Sequence, residues 1–263
     1  MSLIFKSIIL GIVEGVTEFL PVSSTGHLIL AGDILSFTGD NAKTFEIFIQ
    51  LGAILSVIWM YRERIFSSIK EIGSEKKSNK FLLNIFTAFL PAAFIGLLTH
   101  SYIKRYLFNP LTVSFALIVG GIAILAVEKF VKKPVVFDIN ALSLKHAFGI
   151  GMAQALALFP GVSRAGATIM GAMCLGLERK TATEFSFFLA IPTMFAATSY
   201  DLLKNIHNLN LSDMPIFAVG FIVSFLSAII VIKAFLGFIA RHTFNSFAVY
   251  RIVFGLIILF YYL

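Results

Sequence analysis

Long apolar runs separated by short polar segments dominate the sequence, and their lengths indicate helices that cross a membrane. A spanning helix needs about 20 mostly apolar residues. Six segments with few charges approach or exceed this length: residues 45–61, 81–99, 111–127, 183–200, 215–239 and 247–263. Pro91 and Pro192 interrupt two of them, which membrane helices tolerate when neighbouring groups satisfy the freed carbonyls. The pattern predicts an all-α membrane protein with six spanning helices.

Two further regions are apolar but broken by polar residues, at 3–31 and 141–177. The first contains Glu14, Glu18, Pro21 and the polar run 23–27, and the second contains the run 160–166. Neither region makes a plain span. We therefore predict two re-entrant helix-loop-helix hairpins, which enter the membrane and turn back with the polar loop buried in protein.

The two broken regions are also related to each other. A shift of 140 residues aligns residues 11–30 with residues 151–170 without a gap. Glu14 then faces Gln154, and six positions are identical: Gly11/Gly151, Phe19/Phe159, Val22/Val162, Ser23/Ser163, Gly26/Gly166 and Ile29/Ile169. These matches predict one integral membrane domain over residues 1–263, with repeat one at about 1–130 and repeat two at about 141–263. An odd number of crossings in repeat one makes these inverted-topology repeats, an arrangement typical of transporters.

The charges between the apolar runs predict the orientation of the chain. Segments 62–80 and 128–146 are rich in Lys and Arg, which favours the cytoplasmic side. Segment 201–214 has Lys204 against two Asp and is predicted to be external, as are both termini.

Composition supports the membrane class and excludes several others. Hydrophobic residues make up 58% of the 263, and charged residues 13%, where soluble domains have about a quarter charged. A soluble enzyme, a disordered chain and a disulfide scaffold are thereby excluded. The net charge of +7 does not indicate nucleic acid, because most of the basic residues lie between apolar runs, where orientation and anionic lipid head groups explain them.

Carboxylates inside an apolar segment are functional candidates, since each costs about 2.5–3.5 kcal/mol on insertion scales. Glu14 and Glu18 are four residues apart and share one helix face. Two close carboxylates resist joint ionisation unless a cation or an arginine lies between them. They can share a proton, ligate a divalent metal ion, or act as a general base and its orienting partner.

Both polar loops have the composition of an anion site. The loop at 21–27 presents Ser23, Ser24, Thr25 and His27, and a helix beginning there points its free N–H groups at a ligand. The loop at 160–168 repeats the design with Ser163, Arg164, Gly166 and Thr168. Arg164 can grip a phosphate with two parallel hydrogen bonds, and the alternative is a buried ion pair with Glu14 or Glu18. For the serines and threonines the alternative is helix capping. Joined in one pocket inside the bilayer, these groups suit a pyrophosphate on a lipid.

The motifs EGVTEFLPVSSTGH at residues 14–27 and PGVSRAGAT at residues 160–168 resemble those of the BacA-type undecaprenyl pyrophosphate phosphatase family. TFEIFIQLGAI at residues 44–54 and TEFSFFLAIP at residues 183–192 match further family segments, and Ala165 departs from the serine that is frequent there. The resemblance implies a hydrolase in the bacterial plasma membrane, with its site on the extracytoplasmic side. It implies release of the terminal phosphate of undecaprenyl pyrophosphate, which recycles the carrier for peptidoglycan and gives bacitracin resistance.

The resemblance also implies roles for residues of this chain. The acidic motif maps to Glu14 and Glu18, and the family is described as using Mg²⁺ or Ca²⁺, which these two would hold. We expect Arg164 to clamp the phosphates, with Ser23, Thr25, Ser163, Gly166 and Thr168 contributing to substrate binding. The nucleophile is left open among His27, Ser24 and a water molecule, and the other role open to His27 is general acid/base catalysis.

Two other function classes were considered. A secondary transporter or lipid flippase would use the same Arg and Glu residues without hydrolysis. A phosphatase of the acid-phosphatase superfamily would need a second Arg, His and Asp motif, which does not follow Ser163 and Arg164 at suitable spacing. The oligomeric state stays open, with a homodimer among the arrangements considered.

Overall fold

The computed structural model describes residues 1–131, 133–205 and 213–263, and the regular elements of this part of the chain are all helices. It contains α1 (Leu3–Thr17), α2 (Ser24–Ile34), α3 (Asp40–Met60), α4 (Arg62–Lys70), α5 (Lys76–Tyr106), α6 (Pro110–Phe130), α7 (Leu144–Ala155), α8 (Arg164–Cys174), α9 (Arg179–Asn205), α10 (Met214–Ile239) and α11 (Asn245–Tyr262). Short 3₁₀ turns, Ile139–Ala141 and Leu156–Leu158, lie on either side of α7. The predicted all-α class is confirmed.

Among the residues that the structure describes, six helices are long and apolar enough to cross a membrane, as the hydrophobic pattern predicts. They contain the segments Ala42–Met60, Lys76–Thr99, Pro110–Phe130, Arg179–Lys204, Met214–Ile239 and Asn245–Tyr262. The four helices of the broken regions are shorter, at 15 residues for α1, 12 for α7 and 11 each for α2 and α8. The chain is thus a multi-pass membrane protein with two additional helix-break-helix pairs.

The basic segments meet at one end of the molecule. Arg64 donates to the side chain of Asn140 at 3.0 Å, and Lys80 donates to the Asn140 carbonyl at 2.9 Å. These bonds join segments 62–80 and 128–146, the two that the charge pattern predicts to share the cytoplasmic side. Of the predicted external segment 201–214, residues 206–212 lie outside the described residues.

Each helix-break-helix pair begins and ends at the same end of the molecule. The Lys6 ammonium near the start of α1 donates to the Ser36 carbonyl just after α2, at 3.1 Å. The Val135 N–H ahead of α7 donates to the Gly176 carbonyl after α8, at 2.8 Å. The two pairs therefore turn back on themselves, one from each end. Re-entry of these pairs into a bilayer stays a prediction.

Small residues let the first helix of each pair lie close to a long neighbouring helix. α1 packs along α10, and a Cβ at Gly11 would come within 2.7 Å of the Gly220 carbonyl oxygen. α7 packs along α5 in the same way, with Gly151 against the backbone of Ala88. Small residues at such crossings are typical of helix association in membranes. The close crossings fix α1 against α10 and α7 against α5.

Aromatic side chains fill the interior around the breaks. Phe19 and Phe187 are fully buried and meet edge to face, with ring centroids 5.6 Å apart. Phe187, Phe235 and Phe244 continue this contact toward α11. The apolar interior leaves few polar groups near the breaks, and those few form the site.

Candidate active site

The two helix breaks share an unusual backbone conformation. Ser23 precedes α2 with φ 69°, and Ser163 precedes α8 with φ 71°. In the described residues they are two of three non-glycine residues with positive φ, the third being Ser36. Such a conformation costs about 1–2 kcal/mol for an L-residue. The residues are aligned by the 140-residue shift, so each half builds the same turn before a helix N-terminus.

Glu18 and Arg164 form a buried ion pair between the two breaks. Arg164 Nη2 lies 3.4 Å from Glu18 Oε1, and the side chains are 11% and 6% exposed. The Ser24 hydroxyl donates to Glu18 Oε2 at 2.5 Å. One carboxylate therefore links the first residue of α8 with the first residue of α2. The alternative of an ion pair with Glu18, left open for Arg164 by the sequence, is the arrangement observed.

Further contacts orient the Arg164 guanidinium. Nη1 donates to the Ser186 carbonyl at 2.9 Å, and the ring of Phe19 lies 5.6 Å below the guanidinium carbon. The Ser186 hydroxyl lies 2.6 Å from that of Thr168. Nε is buried and makes no hydrogen bond. Thr168 thus acts on the site through Ser186, and Arg164 keeps one donor available.

Glu14 lies one helical turn before Glu18 and is 1% exposed. Its Oε1 is buried without a hydrogen-bond partner, and Glu18, Glu46 and Arg164 are the charges that act on it. A buried carboxylate oxygen with no donor is a group that a proton or a cation would satisfy.

A cavity of about 220 Å³ opens between the breaks. Its polar lining consists of Glu18, Ser23, Ser24, Thr25, Gln50, Gln154, Ser163, Arg164 and Thr193. Pockets for drug-sized ligands have about 300–1,000 Å³, so this volume suits a head group rather than a whole lipid. The cavity brings together six of the predicted site residues. Four others lie outside its lining: Glu14, His27, Gly166 and Thr168.

His27 is held in the layer behind the cavity. Its Nδ1 lies 2.8 Å from the Ser23 carbonyl, and its Nε2 lies 2.6 Å from the Tyr250 hydroxyl. Because a carbonyl oxygen only accepts, Nδ1 is the donor of the first bond. The ring also stacks on Phe254, with centroids 4.1 Å apart. Both nitrogens are engaged, and they tie the strained Ser23 turn to α11.

Ser163 and Gly166 shape the second turn. The Ser163 hydroxyl accepts from the Gly166 N–H at 3.1 Å and caps α8. The capping role left open for the serines by the sequence is therefore observed here, beside the position of Ser163 in the cavity lining. Ser23 makes no such side-chain cap at α2.

Arg251 of α11 is the main residue that sequence reasoning missed. It is 1% exposed, and its guanidinium donates to five backbone carbonyls at 3.0–3.3 Å, those of Pro21, Ala116, Leu117, Gly161 and Val162. A guanidinium has five N–H donors, so each bond has its own proton. Pro21 belongs to the first break, and Gly161 and Val162 to the second. Arg251 therefore fastens the two turns to each other and to α6.

The carboxylates fit a divalent cation only in company with a substrate. In the described ranges no group of three or more His, Cys, Asp or Glu side chains could hold a metal ion. Mg²⁺ is commonly bound by one or two carboxylates together with substrate phosphates and water. The unpartnered Glu14 Oε1 and the neighbouring Glu18 match that smaller donor set.

The fold and the site together define a class: a multi-pass membrane protein with a buried Glu, Ser and Arg cluster between two helix breaks. Within that class, the chain belongs to the family described as bacitracin resistance protein BacA, which it matches over residues 7–257.

Relatives in this family are similar along almost their entire length. A protein of Nitrosospira multiformis named undecaprenyl-diphosphatase is 54% identical, over 98% of this chain and 94% of its own. One of the same name from Methylobacillus flagellatus is 54% identical, over 99% and 98%. One from Caldanaerobacter subterraneus is 50% identical, over 99% and 96%.

Proposed function

We propose that this chain hydrolyses undecaprenyl pyrophosphate to undecaprenyl phosphate and inorganic phosphate. The observation that carries the proposal is the cavity between the breaks, where Arg164 faces Glu18 and Ser24 inside a membrane protein. The name shared by relatives at 50–54% identity supports the same lipid substrate. This reaction returns the lipid carrier to peptidoglycan synthesis and confers bacitracin resistance.

The cavity holds the pyrophosphate head group while the lipid tail extends between helices into the bilayer. Arg164 and the N–H groups at the start of α2 and α8 bind the phosphate oxygens, because a helix N-terminus and a guanidinium both favour anions. These donors point at the charge that grows in the transition state, where such groups act most strongly.

Ser24 is the nucleophile that the geometry favours. Its hydroxyl already donates to Glu18 at 2.5 Å, so Glu18 takes the proton while Oγ attacks the terminal phosphorus. The Oγ–P bond forms as the bond to the bridging oxygen breaks, and undecaprenyl phosphate leaves with the proton that Glu18 took, so Glu18 is a carboxylate again. Water activated by Glu18 then hydrolyses the phosphoserine and restores the hydroxyl. His27 has both ring nitrogens engaged and serves in this scheme as the buttress of the Ser23 turn.

Glu14 and Glu18 would hold a divalent cation, Mg²⁺ or Ca²⁺. Bound there, the cation would supply charge neutralisation for the phosphate oxygens. Glu14→Gln would then weaken cation binding, so more added cation would be needed for half-maximal activity. Titration of cation into protein freed of metal by a chelator measures this.

Purified protein tests the function directly. We expect release of inorganic phosphate from a prenyl pyrophosphate in detergent. With a substrate that is radiolabelled in its terminal phosphate, we expect an acid-stable phosphoprotein that carries the label on serine. Ser24→Ala should abolish both, whereas His27→Ala should keep the label on serine. A label on histidine would reject Ser24, and folded protein that releases no phosphate would reject hydrolysis.

A lipid flippase or secondary transporter is the second candidate. The observation in its favour is that the two helix-break-helix pairs start from opposite ends and meet at matching Ser23 and Ser163 turns. We propose inverted repeats on this basis, since α1 on α10 and α7 on α5 are the same contact in the two halves. If Ser24→Ala protein in vesicles moves labelled lipid from one leaflet of the membrane to the other, the protein transports lipid without hydrolysis.

The proposal includes a location. The protein lies in the plasma membrane and its active site faces the extracytoplasmic side, because the pyrophosphate of the substrate remains on the outer face after polymer transfer. A homodimer also stays a prediction, which light scattering of the detergent-solubilised protein would test.

A further inference from the structure

Gln154 is one of the polar groups of the cavity that the reaction scheme leaves unused. It lies near the end of α7, is 1% exposed and lines the cavity together with Glu18 and Arg164. Its Oε1 lies 3.2 Å from the Thr193 hydroxyl, whose single proton also faces the Leu189 carbonyl at 2.8 Å. The contact with Thr193 is the one hydrogen bond that the described residues give the Gln154 carboxamide.

The other side of the carboxamide is a donor without an acceptor. Across the part of the chain that the structure describes, two buried side-chain nitrogens lack a hydrogen-bond partner, Gln154 Nε2 and Arg164 Nε. Both belong to residues that line this cavity. Buried donors are normally satisfied, because leaving one unpaired forfeits its bond to water. Two residues of one cavity therefore each carry a donor that a ligand's acceptor would satisfy.

The aligned residue in the other half has the opposite character. Glu14 is also 1% exposed, and there it is an oxygen, Oε1, that lacks a partner. One half therefore offers an acceptor, which suits a cation or a proton, and the other half offers a neutral donor. A neutral amide adds no negative charge near a phosphate and so can bind one where a carboxylate would repel it.

We propose that Gln154 Nε2, together with Arg164 Nε, donates hydrogen bonds to non-bridging oxygens of the substrate's pyrophosphate. Gln154 is thereby a substrate-binding residue of this site. This inference rests on the proposed function and specifies how the same site recognises its substrate.

Two substitutions separate hydrogen bonding from shape. Gln154→Met keeps the length without a donor, and Gln154→Glu keeps the shape but replaces the donor with a carboxylate. We expect KM for a prenyl pyrophosphate to rise about tenfold or more in the first, the usual effect of losing a bond to a charged group. Gln154→Glu should raise KM further, because its carboxylate repels the phosphate. In both variants kcat should fall by a smaller factor than KM rises.

Asn84 provides the matched control. It is another buried carboxamide, 1% exposed with one unpartnered atom, but it belongs to α5 and does not line the cavity. Asn84→Met should lower thermal stability and leave KM unchanged. Equal rises of KM in the Asn84 and Gln154 variants would overturn the proposal, as would wild-type KM in folded Gln154→Glu protein.

Direct binding keeps this test separate from the test of hydrolysis. Inorganic pyrophosphate should raise the melting temperature of the wild-type protein, and the shift should shrink in both Gln154 variants. If the wild-type protein binds pyrophosphate but releases no phosphate from the lipid, hydrolysis fails while the Gln154 proposal stands. If the shift is unchanged in the variants, Gln154 is rejected whatever the activity.

Discussion

Arg164 and Arg251 are both buried guanidinium groups, yet the structure gives them different partners. Arg164 pairs with a carboxylate and keeps a buried Nε without a partner, whereas Arg251 uses all five donors on backbone carbonyls. The first arrangement leaves capacity for an anion, and the second leaves none. Their chemistry is the same, so the surroundings of each arginine distinguish Arg164, which we propose binds substrate, from Arg251, which supports the two breaks.

Arg164→Lys should remove most activity while the protein stays folded. A lysine cannot span Glu18 and Ser186 with a planar fork, and loss of one oriented donor costs about 10²–10³ in kcat. Steady-state kinetics on a prenyl pyrophosphate measure the loss, beside thermal unfolding of the same preparation. The exposed Arg241, changed to lysine, is the control. Full activity of the Arg164 variant would count against its role as the phosphate clamp.

Arg251→Met should destabilise the protein and lower activity together. Five buried carbonyls would lose their donor, and each unsatisfied polar group costs about 1–3 kcal/mol. We expect the free energy of unfolding to fall by at least about 3 kcal/mol, allowing for partial rearrangement. Denaturant titration in detergent measures this. Arg241→Met should change little, and equal stability of the two variants would show that Arg251 does not hold the breaks.

At the scale of helices, the breaks are as important as the spans. Ser23 and Ser163 adopt positive φ at matching positions, and each turn opens an 11-residue helix whose N-terminus faces the cavity. The sequence motifs indicated both turns. The partners of the turns, such as Tyr250 beside His27, come from a distant helix and leave no local signal.

Gly11→Leu and Gly151→Leu should each separate a short helix from its long neighbour. Their Cβ positions lie against the backbones of Gly220 and Ala88, so a larger side chain cannot be accommodated without a shift of the helices. Overpacking of this kind costs about 1–3 kcal/mol. The reduced melting temperature and activity are the readouts. Gly237, with nothing within 4 Å of its Cβ position, provides Gly237→Leu as a control that should be neutral.

At the scale of the molecule, one end carries the basic segments and the opposite end carries the Lys6–Ser36 bond and the start of α10. Ser7 donates to the Ile216 carbonyl there at 2.6 Å. The hydrogen bonds of Asn140 bring segments 62–80 and 128–146 together, in agreement with the positive-inside pattern.

Cysteine labelling tests this orientation. In a Cys174→Ser background, Glu75→Cys and Lys145→Cys should react with an impermeant maleimide only from the cytoplasmic side. Leu263→Cys should react only from outside. All three positions are exposed, so burial does not limit labelling. Labelling of Glu75→Cys and Leu263→Cys from the same side would contradict the predicted topology.

The sequence by itself determined the membrane class, the six spans and the polar groups of both breaks, because hydrophobic length and intramembrane charge are local properties of the chain. Arg251 was overlooked, although it is the one charge within the apolar run 247–263. Only the tertiary structure decided that Glu18 pairs with Arg164 across 146 residues, that Gln154 lines the cavity and that His27 lies behind it. Those relations depend on how distant helices pack, and each helix takes its neighbours from the whole fold rather than from its own residues.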